Sequence, residues 1–261
     1  MKRGLFFSRS SGPAGPRGRR AYAIGDIHGC LGLLENLLAR IEREIDANPR
    51  PKTSIVFLGD VVDRGPESAG VIERLRTYSN PHASAHFIMG NHEEVMLRVI
   101  DGETDLLQSW LRFGGADTLK SYGVEQPREL LKMEGEEVTA ILRSAIPETH
   151  RNFVRTFADS ISFGDYVFVH AGIRPGVPLD EQRVEDLRWI RSGFLGHDGD
   201  HGKIIVHGHT VTRTVDERSN RIGIDTGAYA TGVLTALIID GNERRHFDTR
   251  EPAATAVTAV H

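Results

Sequence analysis

Short polar motifs in this 261-residue chain hold residue types that bind metal ions and transfer protons. Five of them stand out: GDIHG at 25–29, GDVVDRG at 59–65, GNHE at 90–93, HAG at 170–172 and HGH at 207–209. Each follows a short apolar run, which indicates a loop at the end of a buried strand. A single motif of this kind is typical of a turn or of a satisfied core histidine. Five in series, with compatible side chains, predict one shared site.

The side chains of these motifs suit a pair of divalent metal ions, since Mn²⁺, Fe²⁺ and Zn²⁺ bind Asp, Asn and His. The bridging residue would be Asp60, because one carboxylate has an oxygen for each cation. Two carboxylates leave such a site positively charged, so that it attracts a phosphate dianion and lowers the pKa of a bridging water. The ligand sets would be Asp26, His28 and Asp60 for one ion, and Asp60, Asn91, His170 and His209 for the other.

Three further residues of the motifs suit phosphate chemistry. The guanidinium of Arg64 matches the geometry of a phosphate group, which it can bind through two parallel hydrogen bonds. His92 follows a ligand candidate directly, and with Asp63 orienting its ring it could protonate a leaving alkoxide as a general acid. Together with the metal ligands, these residues predict hydrolysis of a phosphate ester.

Apolar runs and helical periodicity alternate in the first half of the chain and would position these motifs. A βαβαβ order predicts a parallel sheet flanked by helices, with the ligand site at the carboxyl ends of the strands. The periodicity predicts strands over 21–25, 54–59 and 86–90, and helices over 31–45 and 67–78. A helical insertion is predicted over 93–158. Strands are then expected over 166–170, 203–207, 221–225, 233–240 and 244–247.

Composition and charge limit the class of protein. With 39% hydrophobic and 26% charged residues, the chain is expected to form a single globular domain over 21–250. Residues 1–20 hold six basic and no acidic residues and predict a disordered basic tail, and 251–261 predict a frayed C-terminal tail. The remaining body is acidic, which argues against a nucleic-acid partner. No apolar run is long enough for a membrane helix, and the single cysteine, Cys30, fits a reducing, cytoplasmic location.

In this order the motifs resemble those of the calcineurin-like metallophosphoesterases, over about residues 21–240. GDIHG, GDVVDRG, GNHE and HAG together resemble the phosphoprotein phosphatase family, in its bacterial and phage lambda-type branch. The resemblance implies an α/β fold, a β-sandwich with flanking helices in α/β/β/α layers, and two divalent ions, Mn²⁺ first with Fe or Zn as alternatives. It implies the same six ligands, an acid dyad of Asp63 and His92, and phosphate binding by Arg64 and His92. Arg191, in a Trp-x-Arg context, would be a second phosphate arginine, and His207 would lie behind the ligands.

The function expected from this resemblance is a Ser/Thr protein phosphatase that hydrolyses its substrate in one step through a hydroxide bridging the two metals. Phosphoproteins or phosphopeptides would be its substrates, and small phosphate esters would serve in vitro; no oligomeric state is predicted. A diadenosine tetraphosphate hydrolase is a rival hypothesis. Those enzymes usually lack the aspartate at Asp63 and tend to have GNHD and GHW where this chain has GNHE and GHT. A non-catalytic metal-binding regulatory module is the third.

One more motif, Asp225-Thr226-Gly227, resembles half of an aspartic protease site. A protease of that kind needs a second such carboxylate, from an internal repeat or from a partner chain. The chain has no repeat, and the phosphatase branch often shows DTG at this place. The protease hypothesis is therefore weak.

Overall fold

The computed structural model describes residues 12–250 and contains two five-stranded β-sheets. In the first sheet the strand order is β10-β9-β1-β2-β3, and in the second it is β4-β5-β6-β8-β7. The strands are β1 (Arg19–Ile24), β2 (Lys52–Phe57), β3 (Ala83–Phe87), β4 (Ser160–Phe163), β5 (Tyr166–Val169), β6 (Ile204–His207), β7 (Asp216–Glu217), β8 (Arg221–Gly223), β9 (Thr235–Asp240) and β10 (Glu243–Asp248).

Helices cover the outside of the sheets. They are α1 (Leu31–Ala47), α2 (Ser68–Arg76), α3 (Asn91–Asp101), α4 (Leu107–Trp110), α5 (Ala116–Ser121), α6 (Gly135–Ala145), α7 (Glu148–Val154), α8 (Val184–Trp189) and α9 (Ala228–Thr231). A π-helical turn over Leu111–Gly115 joins α4 to α5. Within residues 12–250, no helix combines the length and the apolar character that crossing a membrane requires.

The alternation of side chains along β1 shows how the layers form. Tyr22 and Ile24 point to one face of the first sheet and pack with Leu34 and Leu38 of α1. The intervening alanines point to the other face and pack against the second sheet, for example against Phe168 of β5. Because every residue of β1 after Arg19 is buried, both faces of the strand are covered.

The second sheet is also covered on both faces. Val167 and Val169 of β5 point away from the first sheet and pack with Leu187 of α8 and with Phe194. The layers are therefore helix, sheet, sheet and helix, and the expected α/β sandwich is confirmed.

Parallel pairing in each sheet sends several carboxyl ends to one edge. β1, β2 and β3 run parallel, and so do β5, β6 and β8. Antiparallel strands lie only at the margins: β9 and β10 on the first sheet, and β4 and β7 on the second. The parallel pairing that the βαβαβ order predicts is confirmed for β1, β2 and β3, and the chain later returns through β9, which pairs antiparallel with β1.

The third strand begins earlier than the sequence predicts. It spans Ala83–Phe87 instead of 86–90, and polar residues such as Ser84 break its apolar pattern. The apolar residues after it, Ile88 and Met89, extend the backbone past the strand, where the N–H of Met89 donates to the carbonyl of Ala158 across 2.8 Å. The apolar run therefore marks the strand's exit toward the site and not the strand itself.

The first strand also begins inside the segment predicted to be a disordered tail, over 1–20. β1 starts at Arg19, and the N–H of Gly15 donates to the carbonyl of Gly241 across 2.8 Å. Arg20 is buried because its guanidinium pairs with Asp240 at 2.8 Å. The predicted tail therefore extends too far, since Arg19 and Arg20 belong to β1 and Arg20 has an acidic partner in the folded chain. Residues 1–11 and the predicted tail at 251–261 lie outside the described residues.

Candidate active site

The loops that follow β1, β2, β3, β5 and β6 meet where the two sheets open. Asp60, after β2, lies at the centre: its Oδ2 atom is 3.6 Å from Nε2 of His28 and 3.4 Å from Nε2 of His170. Burial alone would raise the pKa of Asp60, but His170, His92 and His28 hold it well below its usual range. One carboxylate oxygen therefore faces histidines from both sheets, as a bridging ligand would.

Two groups of side chains at this centre could each hold a metal ion. Within each group, one candidate ligand atom per residue lies within 4.8 Å of the others. The first group is His28, Asp60 and His92, so that His92 stands in it where Asp26 was predicted. The second group is Asp60, His170 and His209. All of these side chains are buried.

The orientation of the histidine rings fits metal ligation. Nδ1 of His28 lies 2.8 Å from the carbonyl oxygen of Val62, and Nδ1 of His170 lies 2.8 Å from that of Leu58. Each Nδ1 therefore donates its proton to the backbone, which leaves Nε2 with a lone pair toward the centre. Nε2 of His209 is buried with no hydrogen-bond partner in the part of the chain that the structure describes.

Asp26 joins the two sheets at the site. Its Oδ2 accepts the N–H of His209 across 3.0 Å, and its Oδ1 is another buried atom that lacks a partner among residues 12–250. A Cβ on Gly208 would lie 2.0 Å from that Oδ1, so only glycine fits there. Burial, and then the carboxylates of Asp225 and Asp60, raise the pKa of Asp26 well above its ordinary value. Oδ1 of Asp26 and Nε2 of His209, both buried without partners among residues 12–250, are the kind of donor atoms that divalent cations bind.

Asn91 completes the predicted ligand set. It is the first residue of α3, and its Oδ1 lies 3.0 Å from Nε2 of His170. An amide oxygen beside an imidazole nitrogen gives the mixed donor set that the second ion would need. The structure thus brings all six predicted ligand residues to one place.

The backbone is strained at this centre. Five non-glycine residues among those described have positive φ, and all belong to the motifs. They are His28 (46°), Asp60 (47°), Asp63 (72°), Arg64 (69°) and His209 (62°). Such conformations are costly for residues with a Cβ, and they are retained where a site requires them.

Asp63 and His92, which were predicted to form an acid dyad, are in direct contact. Nδ1 of His92 lies 2.7 Å from Oδ2 of Asp63. Trp110 donates its indole N–H to the same oxygen across 3.0 Å, and Thr118 donates its hydroxyl to Oδ1 across 2.6 Å. Burial lowers the pKa of His92, but Asp60 and Asp63 outweigh burial and raise it to about 9. The dyad therefore favours a protonated imidazole.

Both arginines predicted to bind phosphate lie at the site. The guanidinium of Arg64 lies over the ring of Tyr229 and donates to Nε2 of His28 across 2.8 Å and to Nε2 of His92 across 3.0 Å. Arg191 donates to the carbonyl of His209 across 3.2 Å. Because a guanidinium can only donate, its contact with His92 requires an unprotonated Nε2. Arg64 must find another acceptor before that atom carries a proton.

Glu93 is a site residue that the sequence analysis did not assign. Its buried carboxylate accepts the N–H groups of Asp60 (2.8 Å), Val61 (2.8 Å) and Gly90 (3.0 Å). It thereby ties the loop after β2 to the start of α3. The capping pattern of the GNHE motif is the sequence signal from which this role of Glu93 could have been predicted. No sequence signal marked Trp110 and Thr118, the two donors to Asp63, because they lie in the helical insertion, away from the motifs.

His207 lies behind the centre, as expected. Its Nδ1 is 3.0 Å from the carbonyl of Gly208, and its Nε2 is 3.4 Å from the guanidinium of Arg221. Burial lowers its pKa to about 4, so it remains neutral and supports the loop that carries His209.

A cavity of about 360 Å³ leads from the centre to the surface. Arg64, His92 and Arg191 are among its lining residues, and much of the remaining lining is apolar. Two aromatic side chains of the lining are exposed, Phe113 (61%) and Trp189 (40%). The cavity is therefore lined both by cationic and proton-donating side chains and by exposed aromatic rings.

The proteins to which this chain is similar are phosphoesterases, in agreement with a phosphate-binding metal site. The family model described as calcineurin-like phosphoesterase matches residues 19–230. The chain is 28% identical to serine/threonine-protein phosphatase 2 of Salmonella typhimurium, over 83% of this chain and 91% of that protein. It is 27% identical to an asymmetrical bis(5'-nucleosyl)-tetraphosphatase of Anoxybacillus flavithermus, over 82% and 88% respectively. A solved structure provisionally described as a diadenosine tetraphosphatase aligns with a TM-score of 0.60 at 21% identity, covering 88% of this chain and 94% of that one.

Proposed function

The chain belongs to the calcineurin-like phosphoesterase family of hydrolases, and we propose that it is a metal-dependent phosphomonoesterase that removes phosphate from phosphoserine or phosphothreonine in proteins. The 2.7 Å contact between His92 and Asp63 carries this proposal. A serine alkoxide is a poor leaving group and needs a proton as it departs. A nucleotide leaving from a phosphoanhydride is already a stable anion and gains little from an acid.

The site would hold two divalent ions, on Asp26, His28 and Asp60 and on Asp60, Asn91, His170 and His209. Mn²⁺ is the expected metal, with Fe or Zn as alternatives. When bound, these ions would supply positive charge for the phosphate and acidify water at the site.

The protein's own residues would do the rest. Arg64 and Arg191 would bind the phosphate oxygens, and Arg64 would then release Nε2 of His92. The bond between phosphorus and the serine oxygen would break as a water oxygen bonds to phosphorus. The phosphate product would keep one proton of that water and lose the other to solvent, from which His92 is protonated again. The proton on Nε2 of His92 goes to the departing oxygen, and Asp63 keeps the ring in position. Binding of phosphate by Arg64 would thus make the acid available.

The charges along the cavity favour a monoester over a polyphosphate chain. Arg98 also lines the cavity, but Glu94 and Glu103 pair with it. That leaves Arg64 and Arg191 to bind phosphate. A tetraphosphate carries several negative charges beyond the group that is cleaved, and it would need more cationic side chains than these two.

Dinucleoside polyphosphate hydrolysis is the second candidate. Relatives bearing that name are about as similar to this chain as the protein phosphatases are. The exposed rings of Phe113 and Trp189 could also stack on a base. The Asp63–His92 pair has no clear task in that reaction, which is why we rank it second.

A substrate panel separates the two activities. The Mn²⁺-loaded protein would be assayed on phosphoserine and phosphothreonine peptides, diadenosine tetraphosphate and p-nitrophenyl phosphate. We expect the highest kcat/KM on a phosphopeptide. Asp63→Ala should reduce peptide turnover more than anhydride turnover, and Asp117→Ala, a partly exposed carboxylate on α5, is the control. A strong preference of the wild type for the dinucleotide would overturn the proposal, and no turnover of any substrate would favour a non-catalytic metal-binding module.

A further inference from the structure

Asp225 is a buried carboxylate that the proposed reaction does not use. It follows β8 by two residues and is 1% exposed. Its Oδ1 accepts the N–H of Gly227 across 2.9 Å, which closes a turn before α9. Its Oδ2 has no hydrogen-bond partner among residues 12–250. In that part of the chain only one other carboxylate, Asp26, has such a buried oxygen.

The fold places Asp225 beside the candidate metal centre. The N–H of Ile224 donates to the carbonyl of His207 across 2.9 Å, so Asp225 emerges next to the loop that carries His209. The loop before Asp26 lies against it from the other sheet. A Cβ on Gly25 would come within 2.5 Å of the Ile224 carbonyl oxygen and 3.5 Å of Cα of Asp225. The carboxylate is thus enclosed between two ligand loops.

The negative charge of Asp225 acts on the other carboxylates of the candidate metal centre. The carboxylate of Asp225 interacts electrostatically with those of Asp26 and Asp60, and all three are buried. Three buried like charges repel one another unless cations lie among them. Two divalent ions carry more positive charge than three carboxylates can cancel, so a third carboxylate still leaves the site attractive to phosphate.

We propose that Asp225 is the third carboxylate of the metal centre, a positioning residue beside Asp26 that raises the affinity for divalent cations. This rests on the proposed function, because it assumes that the centre binds metal. The hydrogen bond from Gly227 accounts for only one oxygen of the Asp225 carboxylate, Oδ1. The unpartnered Oδ2 is the atom that would interact with a cation or with its hydration shell.

The test compares Mn²⁺ binding by chelator-stripped wild-type protein and the Asp225→Asn variant, with free Mn²⁺ measured by electron paramagnetic resonance. Asparagine keeps an oxygen for Gly227 and removes the charge. We expect one of the two ions to bind about 10- to 100-fold more weakly. The Tm of the stripped variant should equal or exceed that of the wild type, because repulsion is relieved. Mn²⁺ should then raise its Tm by less.

Asp248→Asn is the matched control. Asp248 is also mostly buried, and it accepts the N–H of Arg250 across 2.9 Å in the same kind of turn. It should keep wild-type Mn²⁺ affinity. Asp225→Ser, which also keeps a short acceptor, would replace the asparagine variant if that one failed to fold.

Wild-type Mn²⁺ affinity in the variant, with or without a lower Tm of the stripped protein, would overturn the inference and leave Asp225 as a turn residue. Failure of the wild type to bind Mn²⁺ would instead overturn the metal-dependent function itself. The two failures are thus distinct.

Discussion

The guanidinium of Arg64 donates to Nε2 of His92 across 3.0 Å, and this is the same atom that would deliver a proton to the leaving group. The other ring nitrogen, Nδ1, is already engaged with Asp63. His92 can therefore be protonated at Nε2 only when Arg64 turns to another acceptor. A bound phosphate is such an acceptor, so substrate binding and the availability of the acid are coupled.

Replacing His92 tests its role as the acid. His92→Asn should lower kcat on a phosphoserine peptide by about 10²- to 10⁴-fold, because general acid catalysis contributes about that much. The loss should be smaller with p-nitrophenyl phosphate, whose leaving group needs less protonation. Steady-state kinetics with both substrates gives the comparison, and metal content should be unchanged. His150→Asn, a buried histidine bonded to Tyr122, is the control. Equal losses on both substrates would contradict the assignment.

Trp110 and Thr118 should act through Asp63. Trp110→Phe keeps a ring but removes the N–H that donates to the carboxylate. Thr118→Val removes the second donor, whereas Thr118→Ser keeps it. We expect about a tenfold lower kcat on phosphoserine peptide for Trp110→Phe and for Thr118→Val, equivalent to about 1.4 kcal/mol. Thr118→Ser should stay near wild type, and a serine variant as impaired as the valine variant would point to packing instead.

The sequence allowed most of this site to be predicted because its chemistry lies in the loops themselves. Asp26, Asp60 and His170 each lie within three residues of the end of an apolar strand, so the position of the strand's end also predicts the position of the ligand. Parallel strands then bring such ends to one edge. Trp110 could not be found in this way, since a large aromatic residue in a helical segment has the pattern of an ordinary core residue.

The fold was predictable to a similar extent, and the errors have physical reasons. Local periodicity identifies a buried strand such as β2, but pairing between β1 and β9 joins segments far apart in the chain. The edge strands β4 and β7 are short and partly exposed, so they lack an apolar run. Residues 12–20 have the composition of a tail, yet Arg20 acquires partners that only the folded chain supplies.

Metal removal should abolish turnover. A chelator should reduce activity to background, and Mn²⁺ should restore it, because the site contains no other activated nucleophile among the residues described. Asp60→Asn should bind less metal than His28→Asn, since Asp60 faces both ligand groups. Metal analysis of the purified variants measures this. Full activity of verified metal-free protein would end the two-metal interpretation.

Glu93 should stabilise the loop after β2. Glu93→Gln replaces one acceptor oxygen by an NH₂ group, which cannot accept the N–H of Asp60 or Val61. Leaving a buried donor unsatisfied costs about 1–3 kcal/mol, so the free energy of unfolding should fall by that amount. Urea unfolding of the metal-free protein measures it. Glu129→Gln, on the exposed surface, should be neutral, and neutrality at both positions would refute the role.

Cys30 should be an unreactive thiol at neutral pH. Burial, and then the charge of Glu67, raise its pKa to about 11. The thiol therefore stays protonated until the pH approaches that value, and only the thiolate is nucleophilic. Its alkylation rate with iodoacetamide should rise about tenfold per pH unit from pH 7 to pH 10, with mass spectrometry as the readout. A free cysteine, with a pKa of about 8.5, would level off near pH 9. Such a plateau for Cys30 would contradict the prediction.

The hydrogen bond from His209 to Asp26 joins residues 183 positions apart, and it has a consequence for synthesis of the chain. At a translation rate of about 5–20 residues per second, Asp26 leaves the ribosome many seconds before His209 does. During that interval β1 also lacks β9, its antiparallel neighbour. A nascent chain therefore cannot assemble both cation sites until residues beyond His209 have emerged. Cations would then bind only completed chains and raise their free energy of unfolding. Truncated chains, without this stabilisation, would be degraded more readily by proteases.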